Sequence, residues 1–286
     1  MTRESENTAM PPQEERDGTD GRDGAPTVTR AGVVGEPGTE GGLDRLDAFE
    51  DELVERLGTH PVLRNIGLLP DDAFAEILLQ RRFVSLAFTP CYDLAIDLLS
   101  DEVGLRIARV ILREEYPDSH GHTRSHREDM TEDLRQLGIS QRTIVTSKPS
   151  ATTRKVILDS LETIAGAGGE ADADVRMLTL LRFWGEILVS VEYGRLWERM
   201  GPVLTRGGEN RSRFYYPHYA HDAKANPLAR VSLLSTTHAD RLGSRLSELL
   251  AREASFDGFR EMEERSLKLK TDFYDQFLPS LRGATS

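Results

Sequence analysis

Apolar residues recur every three or four positions along most of the chain from residue 43 onward, which is the spacing of one buried face of an α-helix. Gly, Pro and capping residues divide this pattern, since they begin or end helices. The predicted helices cover residues 43–54, 71–88, 90–99, 101–117, 123–137, 150–165, 172–200, 228–253 and 256–280. No run of Val, Ile and Thr lies between hairpin-type turns, so strands are not expected. The pattern predicts one all-α domain of seven to nine helices over residues 43–286.

Residues 1–42 form a separate region without this periodicity. They contain no Leu, Ile, Phe, Tyr or Trp, and nine acidic residues oppose four arginines. Such a segment buries too little apolar surface to offset the entropy that is lost on ordering. We therefore expect residues 1–42 to be a disordered acidic tail.

The composition limits which binding partners and which cellular compartment we expect for the protein. The formal net charge of −12 argues against a nucleic-acid partner, because neutralising phosphates requires a basic face. The first residues lack the apolar stretch of a signal peptide, and no segment approaches the roughly 18 uncharged residues of a membrane span. A single cysteine, Cys91, rules out an intramolecular disulfide and fits a reducing cytoplasm. We expect a cytoplasmic protein whose partner is a small molecule or another protein, with a homodimer left open and no membrane contact.

Five of the seven histidines lie in two short stretches that also contain acidic residues, and a sixth, His238, follows sixteen residues after Asp222. In the first stretch, Glu115 ends a predicted helix and His126 lies early on the next one. A helix end and a neighbouring helix start can bring a carboxylate and an imidazole to one metal ion. The alternative is a solvated acidic helix end with exposed histidines in a loop, and this stretch alone favours the alternative.

In the second stretch, His218 and Asp222 are four residues apart, so both lie on one face if the segment is helical. This spacing suits two ligands of one metal ion, or a ligand with its orienting carboxylate. An Asp–His hydrogen bond at a helix end is the alternative. His221 would point about 60° away from this face and ranks below His218. His238 reaches the same region only if the intervening chain bends.

Glu192 lies in one of the most apolar predicted helices, where a carboxylate is costly unless a cation or hydrogen-bond donors satisfy it. Gly185, seven residues earlier, shares its face and would leave space for a ligand. A buried ion pair with Arg182 or Arg113 is the alternative. Glu186 is expected to face solvent or an arginine instead.

Other catalytic motifs do not occur in the sequence. It contains no Gly-rich phosphate loop, no Gly-x-Ser-x-Gly elbow and no Cys-x-x-Cys. Cys91 is expected to pack as a small apolar residue, and the Arg81–Arg82 pair to be solvated, although one arginine could bind a substrate carboxylate. Imidazoles and carboxylates from separate helices are the ligand set that iron uses with O2 in helical bundles. A non-haem diiron site is the leading hypothesis.

The order of these landmarks, over roughly residues 59–250, resembles the haem-oxygenase-like diiron oxidases, relatives of the thiaminase and pyrroloquinoline-quinone-synthase helical fold. The segments that carry the resemblance are His60-Pro61-Val-Leu, the helix from Ala75 to Pro90, Arg113-Glu-Glu115, His126 upstream of Leu137-Gly138, Ser190-Val-Glu192 and His218-x-x-x-Asp222. The chain is most similar to members that act on free amino acids in natural-product pathways.

The resemblance implies a haem-oxygenase-like helical bundle that holds two Fe(II) ions per chain, uses O2 as co-substrate and takes electrons from an external reductant. The implied iron ligands are Glu115, His126, Glu192, His218, Asp222 and His238, of which Glu115 and Glu192 are also catalytic. The substrate would lie against Phe88, Tyr92, Trp184 and Tyr193. The implied reaction functionalises an unactivated C–H or N–H bond of a free aliphatic amino acid, by desaturation, hydroxylation or ring closure to an azetidine.

The sequence departs from the family at one ligand position. The family completes its third cluster with a His three residues after the Asp, where this chain has Ala225, and His238 would replace that ligand. Two alternatives stay open beside the diiron oxidase. One is a metal-free helical binding or regulatory protein on the same scaffold. The other is a cofactor-independent oxidase of the quinone-synthase kind, which would use the histidines for proton transfer.

Overall fold

The computed structural model describes residues 37–117, 124–253 and 255–282. Most of the expected tail, residues 1–36, lies outside these ranges, as does the segment 118–123 with two histidines of the first stretch. Residues 37–42, which the sequence pattern assigned to the tail, belong to the first helix.

The described residues form fourteen α-helices. They are α1 (Pro37–Gly58), α2 (Pro61–Arg64), α3 (Asp71–Leu86), α4 (Phe88–Leu98), α5 (Glu102–Glu114), α6 (His126–Gln136), α7 (Gln141–Thr146), α8 (Ala151–Ala167), α9 (Ala173–Arg182), α10 (Leu188–Leu204), α11 (Tyr215–His221), α12 (His238–Leu250), α13 (Asp257–Asp275) and α14 (Leu278–Arg282). A π-helical turn, Phe183–Ile187, joins α9 to α10 into one rod. With that rod taken as one, nine helices have ten residues or more in the described chain. The all-α class is confirmed, and the further helices are short ones of seven residues or fewer.

Two capping residues fix the starts of α6 and α12. The Ser125 hydroxyl accepts a hydrogen bond from the Glu128 backbone at 3.3 Å, while the Glu128 carboxylate accepts from the Ser125 backbone at 2.9 Å. The Thr237 hydroxyl caps α12 by accepting a hydrogen bond from the Asp240 backbone at 3.2 Å. His126 and His238 are therefore the first residues of their helices, later than the predicted starts at 123 and 228.

One short hairpin was not expected from the sequence. Thr205–Arg206 pairs with Glu209–Asn210 in antiparallel register. Gly207 and Gly208 make the turn with φ of 61° and 80°, the left-handed region that glycine occupies at little cost. The apolar pattern missed the hairpin because each strand has only two residues, all of them exposed.

The rod formed by α9 and α10 lies at the centre of the fold. Helices α12 and α13 pack against α9, and α1 and α11 pack against α10. Every residue from 177 to 190 is buried, which agrees with the apolar sequence of this region. Within the described chain, no helix is long and apolar enough to cross a membrane. Because the rod runs through the core, side chains near its middle can face an internal cavity.

Candidate metal centre

One cavity of about 380 Å³ is lined by eight acidic or imidazole side chains. They are Glu114, Glu115, His126, Glu186, His218, His221, Asp222 and His238. The end of α5, the start of α6, the π turn, the end of α11 and the start of α12 supply them. Five of the six ligands expected from the sequence therefore meet at one cavity, and Glu192 is the exception.

Two sets of these side chains have the spacing of metal ligands. The Glu115 group consists of Glu115, His126 and His218, and the Asp222 group consists of His221, Asp222 and His238. Within each group, one potential ligand atom from every residue lies within 4.8 Å of the others. Either group could hold one metal ion.

The Glu115 group combines one carboxylate with two imidazoles. His126 Nδ1 is 2.9 Å from Glu115 Oε1, and the rings of His126 and His218 are 4.7 Å apart. His218 Nδ1 lies 2.7 Å from the Phe214 carbonyl oxygen and must donate to it, so its Nε2 lone pair is free to face a metal. Burial, with the neighbouring His126, lowers the pKa of His218 to about 3. His218 is therefore neutral at pH 7, as a metal ligand must be.

The Asp222 group includes the last residue of α11, His221, and the residue that follows it. The rings of His221 and His238 are 4.5 Å apart, and His238 Nδ1 is 3.9 Å from Asp222 Oδ1. The four-residue spacing predicted that His218 and Asp222 share one face and that His221 points away from it. The structure instead turns the His218 ring toward His126 and places His221 beside His238. His238 lies next to Asp222. This position agrees with the expectation that His238 replaces the ligand that is missing at Ala225.

The crowding of carboxylate side chains at the cavity supports a cation site. Burial, and then Glu186, Glu115 and Glu114, raise the pKa of Asp222 well above its usual range. Although burial alone would lower it, the Glu186 carboxylate raises the pKa of His238. The buried His238 Nε2 makes no hydrogen bond with any described residue, although Glu114 Oε2 is 3.3 Å away. A mixed set of imidazole nitrogens and crowded carboxylates fits a divalent transition metal.

Glu186 is a further cavity residue that was not among the expected ligands. It is 2% exposed, and its carboxylate accepts a hydrogen bond from the Tyr92 hydroxyl at 2.5 Å and lies 3.4 Å from His238 Nδ1. The expectation that it meets solvent or an arginine was wrong, because the π turn adds a residue and breaks the 3.6-residue register. Gly185 was the available signal: a Cβ there would lie 3.2 Å from the Tyr92 ring, so glycine lets Tyr92 approach.

Glu192 is not brought to either group. Its Oε2 accepts hydrogen bonds from Arg81 at 2.9 Å and from Lys270 at 2.7 Å. Burial would raise the pKa of Glu192, but these two cations lower it. The geometry therefore matches the buried ion pair weighed as an alternative, with Arg81 and Lys270 in place of Arg182 or Arg113. Arg81 and Arg82 are both buried rather than solvated.

A buried carboxylate on α6 anchors α11. Asp133 accepts hydrogen bonds from the backbone N–H groups of Arg213, Phe214 and Tyr215 at 2.9, 3.0 and 3.2 Å, and from the Ser212 hydroxyl at 2.6 Å. Helix α6 thus supplies His126 and also positions the helix that carries the second histidine stretch. Asp133 lies within α6, far in sequence from its partners, so local patterns gave no signal for it.

Three of the four aromatic residues expected at the substrate, Phe88, Trp184 and Tyr193, line the cavity. Tyr92 stands behind Glu186 and stacks on Phe88 with ring centroids 4.2 Å apart. Its position suits holding Glu186 better than contacting a substrate. The substrate role of the other three stays a prediction.

Solved structures of low sequence identity share this fold. A TenA homologue protein from P. horikoshii OT3 has a TM-score of 0.52 at 14% identity, over 83% of this chain and 98% of that one. A TenA family transcription regulator from Silicibacter sp. TM1040 has a TM-score of 0.51 at 14% identity, over 82% of this chain and 95% of that one. A CADD-like protein of unknown function from Nostoc punctiforme PCC 73102 has a TM-score of 0.52 at 12% identity, over 83% of this chain and 99% of that one. The chain therefore has the haem-oxygenase-like all-helical fold.

Neither protein-family models nor curated proteins match this sequence. At the identities of the structural neighbours, the similarity establishes the fold and no activity.

Proposed function

We propose that the protein is a non-haem diiron oxidase, which uses O2 to functionalise an unactivated C–H or N–H bond of a small substrate. The strongest support is the pair of imidazole–carboxylate groups on the wall of one cavity. Such donors, projecting inward from several helices, are typical of diiron carboxylate proteins. The resemblance of the sequence to the haem-oxygenase-like diiron oxidases points to the same class.

Each group would hold one Fe(II) ion. Glu115, His126 and His218 would bind the first, and His221, Asp222 and His238 the second. Glu186 takes the carboxylate role that the sequence analysis gave to Glu192, since it lies beside His238 in the cavity. The chemistry that two bound Fe(II) ions supply is reduction of O2, with electrons from an external reductant, and removal of a substrate hydrogen.

The surrounding side chains would orient the ligands and exclude water. The Tyr92 hydroxyl holds one oxygen of Glu186 in place. The Phe214 carbonyl fixes the ring of His218, so its free nitrogen keeps one direction. Phe88, Trp184 and Val189 give the cavity an apolar wall, which keeps bulk water from the reacting bond.

A free aliphatic amino acid is the substrate we propose, in natural-product biosynthesis. The cavity volume of about 380 Å³ lies near the lower end of ligand pockets, roughly 300–1,000 Å³, which suits a small molecule. Desaturation, hydroxylation and ring closure to an azetidine are the outcomes to look for. The last is the reaction of the azetidine-forming enzyme of polyoxin biosynthesis, a member of the resembling family.

The proposal is tested by loading the protein with Fe(II) without air, admitting O2 and recording the EPR spectrum of the oxidised protein. Two ferric ions in adjacent groups couple magnetically, so we expect most of the bound iron to be EPR-silent. His221→Ala is the matched variant: with the Asp222 group incomplete, the remaining iron should give the signal of an isolated ferric ion. An isolated-ion signal from all the iron in the wild type would contradict the diiron assignment.

The second candidate is a metal-free binding or regulatory protein. Ala225 in place of a ligand supports it, and one structural neighbour is described as a transcription regulator. Negligible iron binding together with specific binding of a small molecule would favour this candidate. Substrate-dependent O2 uptake that persists without any metal would instead favour the cofactor-independent oxidase.

A further inference from the structure

Arg81 and Lys270 form a buried cation pair in the wall of the cavity, and both bond to one carboxylate oxygen. Arg81 Nη2 is 2.9 Å and Lys270 Nζ is 2.7 Å from Glu192 Oε2. Both cations are 3% exposed, and Glu192 is fully buried. The three residues come from α3, α13 and α10, so packed helices hold the pair in place.

The cation pair carries one more positive charge than Glu192 balances. Among the described residues, neither Arg81 nor Lys270 has a second carboxylate within 4.0 Å, and the buried Arg81 Nε has no hydrogen-bond acceptor. Burial, with a further contribution from Arg81, lowers the pKa of Lys270 to about 8. An unbalanced buried charge is unfavourable, so a ligand that brings one negative charge would stabilise this wall.

The cation pair and the two metal-ligand groups face the same cavity. Arg81 and Lys270 line it together with the Glu115 and Asp222 groups, and apolar side chains fill much of the remaining wall. Lys270 Nζ lies 5.4 Å from the centre of the Trp184 ring. A molecule that bridges these features needs an anionic group, an apolar body and a bond within reach of the metal-ligand groups.

We propose that Arg81 and Lys270 bind the carboxylate of the substrate, which is therefore a small monocarboxylic acid with an apolar body. This inference rests on the proposed function. One negative charge matches the one unbalanced positive charge, whereas a phosphate dianion would leave the wall negative. The unsatisfied Arg81 Nε and the remaining ammonium protons of Lys270 are the donors that the carboxylate would engage.

Binding of the carboxylate should be tighter when metal is bound. Glu114, Glu115 and Glu186 face the same cavity, and their charges would weaken the binding of an anion until cations neutralise them. The experiment therefore uses the Fe(II)-loaded protein without air. Calorimetric titration with L-leucine, isocaproate and isoamylamine compares one apolar body with an amino acid, a simple carboxylate and an amine.

We expect at least one of the two carboxylates to bind and the amine to bind at least about tenfold more weakly, because only a carboxylate engages the cation pair. Stronger binding of leucine than of isocaproate would identify an amino acid, and the reverse order a simple acid. Equal or stronger binding of the amine, or no binding of either carboxylate, would overturn the inference.

Lys270→Gln is the decisive variant. The amide can still donate to Glu192, while the net positive charge is removed, so carboxylate affinity should fall about tenfold or more with iron stoichiometry unchanged. Lys268→Gln is the matched control on the same helix, since Lys268 is exposed and bonds to Asp272; its carboxylate affinity should equal that of the wild type.

The two proposals fail in distinguishable ways. Normal iron binding with unchanged carboxylate affinity in Lys270→Gln would overturn the carboxylate site and leave the oxidase proposal standing. Lys270-dependent carboxylate binding in a protein that takes up no iron would support the carboxylate site and contradict the oxidase.

Discussion

At the scale of single residues, Glu186 and Glu192 show how neighbours decide the role of a buried carboxylate. Both side chains are almost completely buried, at 2% and 0% exposure. Glu192 bonds to two cations, so its charge is already balanced. Glu186 has a phenol and an imidazole beside it, and its charge is open to a metal ion. The first carboxylate should stabilise the fold and the second should bind metal.

Exchanging each glutamate for glutamine tests this division. Glu192→Gln leaves two buried cations without a counter-charge, and we expect a loss of about 3–5 kcal/mol in unfolding free energy. Glu186→Gln keeps an oxygen that can accept from Tyr92, so we expect little loss of stability but a fall of about tenfold or more in Fe(II) affinity. Urea unfolding and anaerobic Fe(II) titration measure the two quantities. The opposite pattern would return Glu192 to the ligand set.

The sequence could predict that an acidic residue of the central helix matters, but not which one. The apolar run around Glu192 indicates burial, and burial requires a partner for the charge. Choosing between Glu192 and Glu186 requires the register of the helix, which the π turn at Phe183–Ile187 changes. The cations also come from positions 81 and 270, too distant in sequence for any local pattern to reveal them.

At the scale of elements, the short helix α11 serves both metal-ligand groups. His218 faces His126, whereas His221 and the following Asp222 face His238. Residues three apart on a helix differ by about 60° in direction, which is enough to serve two neighbouring groups. Because of this angle, His221 ranked below His218 as long as a single metal site on the face of His218 and Asp222 was assumed.

We therefore expect His218→Ala to remove iron from the Glu115 group, and His221→Ala and His238→Ala each to remove iron from the Asp222 group. Each variant should bind about one Fe(II) per chain, measured by anaerobic equilibrium dialysis. His60→Gln is the control, because His60 is buried beside Asp275 and belongs to neither group. Full stoichiometry in His221→Ala would show that this residue is not a ligand.

The junction of α1, α9 and α13 places two buried carboxylates near one arginine. Although burial would raise it, Arg182 lowers the pKa of Glu50 to about 2. Burial and the charge of Glu50 raise the pKa of Glu263 well above its usual range. Glu50 is therefore the ionised partner of Arg182, and Glu263 stays protonated at neutral pH.

Two glutamine variants should behave differently at this junction. Glu50→Gln leaves Arg182 unpaired and should cost about 3–5 kcal/mol near pH 7. This penalty should shrink as the pH falls from about 4.5 toward 2, where Glu50 becomes protonated in the wild type. Glu263→Gln replaces an already neutral group and should cost about 1 kcal/mol or less. Denaturant unfolding over this pH range measures both.

The pH dependence of Glu263→Gln provides a further check. Folded wild-type protein keeps the Glu263 proton, whereas the unfolded chain releases it above about pH 4.5, so Glu263 lowers wild-type stability as pH rises. The variant lacks this loss and should gain stability relative to the wild type between about pH 5 and 8. A constant difference would mean that Glu263 is ionised in the folded protein.

At the scale of the whole molecule, the sequence predicted the all-α class and most helices because apolar periodicity is a local property. The convergence of α5, α6, α11 and α12 on one cavity depends on packing between distant segments, and spacing alone does not contain it. Two examples of such distant contacts are the hydrogen bonds by which Asp133 of α6 anchors α11, and the contact between the rings of His126 and His218. The resemblance to a known family predicted that these side chains meet at one site, whereas the residue patterns alone did not.

We propose that the two metal-ligand groups on this cavity each bind one iron ion. Anaerobic titration of the wild-type protein with Fe(II), followed by quantification of the bound iron after removal of free ions, measures this occupancy. Two groups of three potential ligands each predict about two Fe(II) ions per chain, with the second bound more weakly or only when a carboxylate substrate is present. Negligible bound iron under all these conditions would mean that neither group is an iron site.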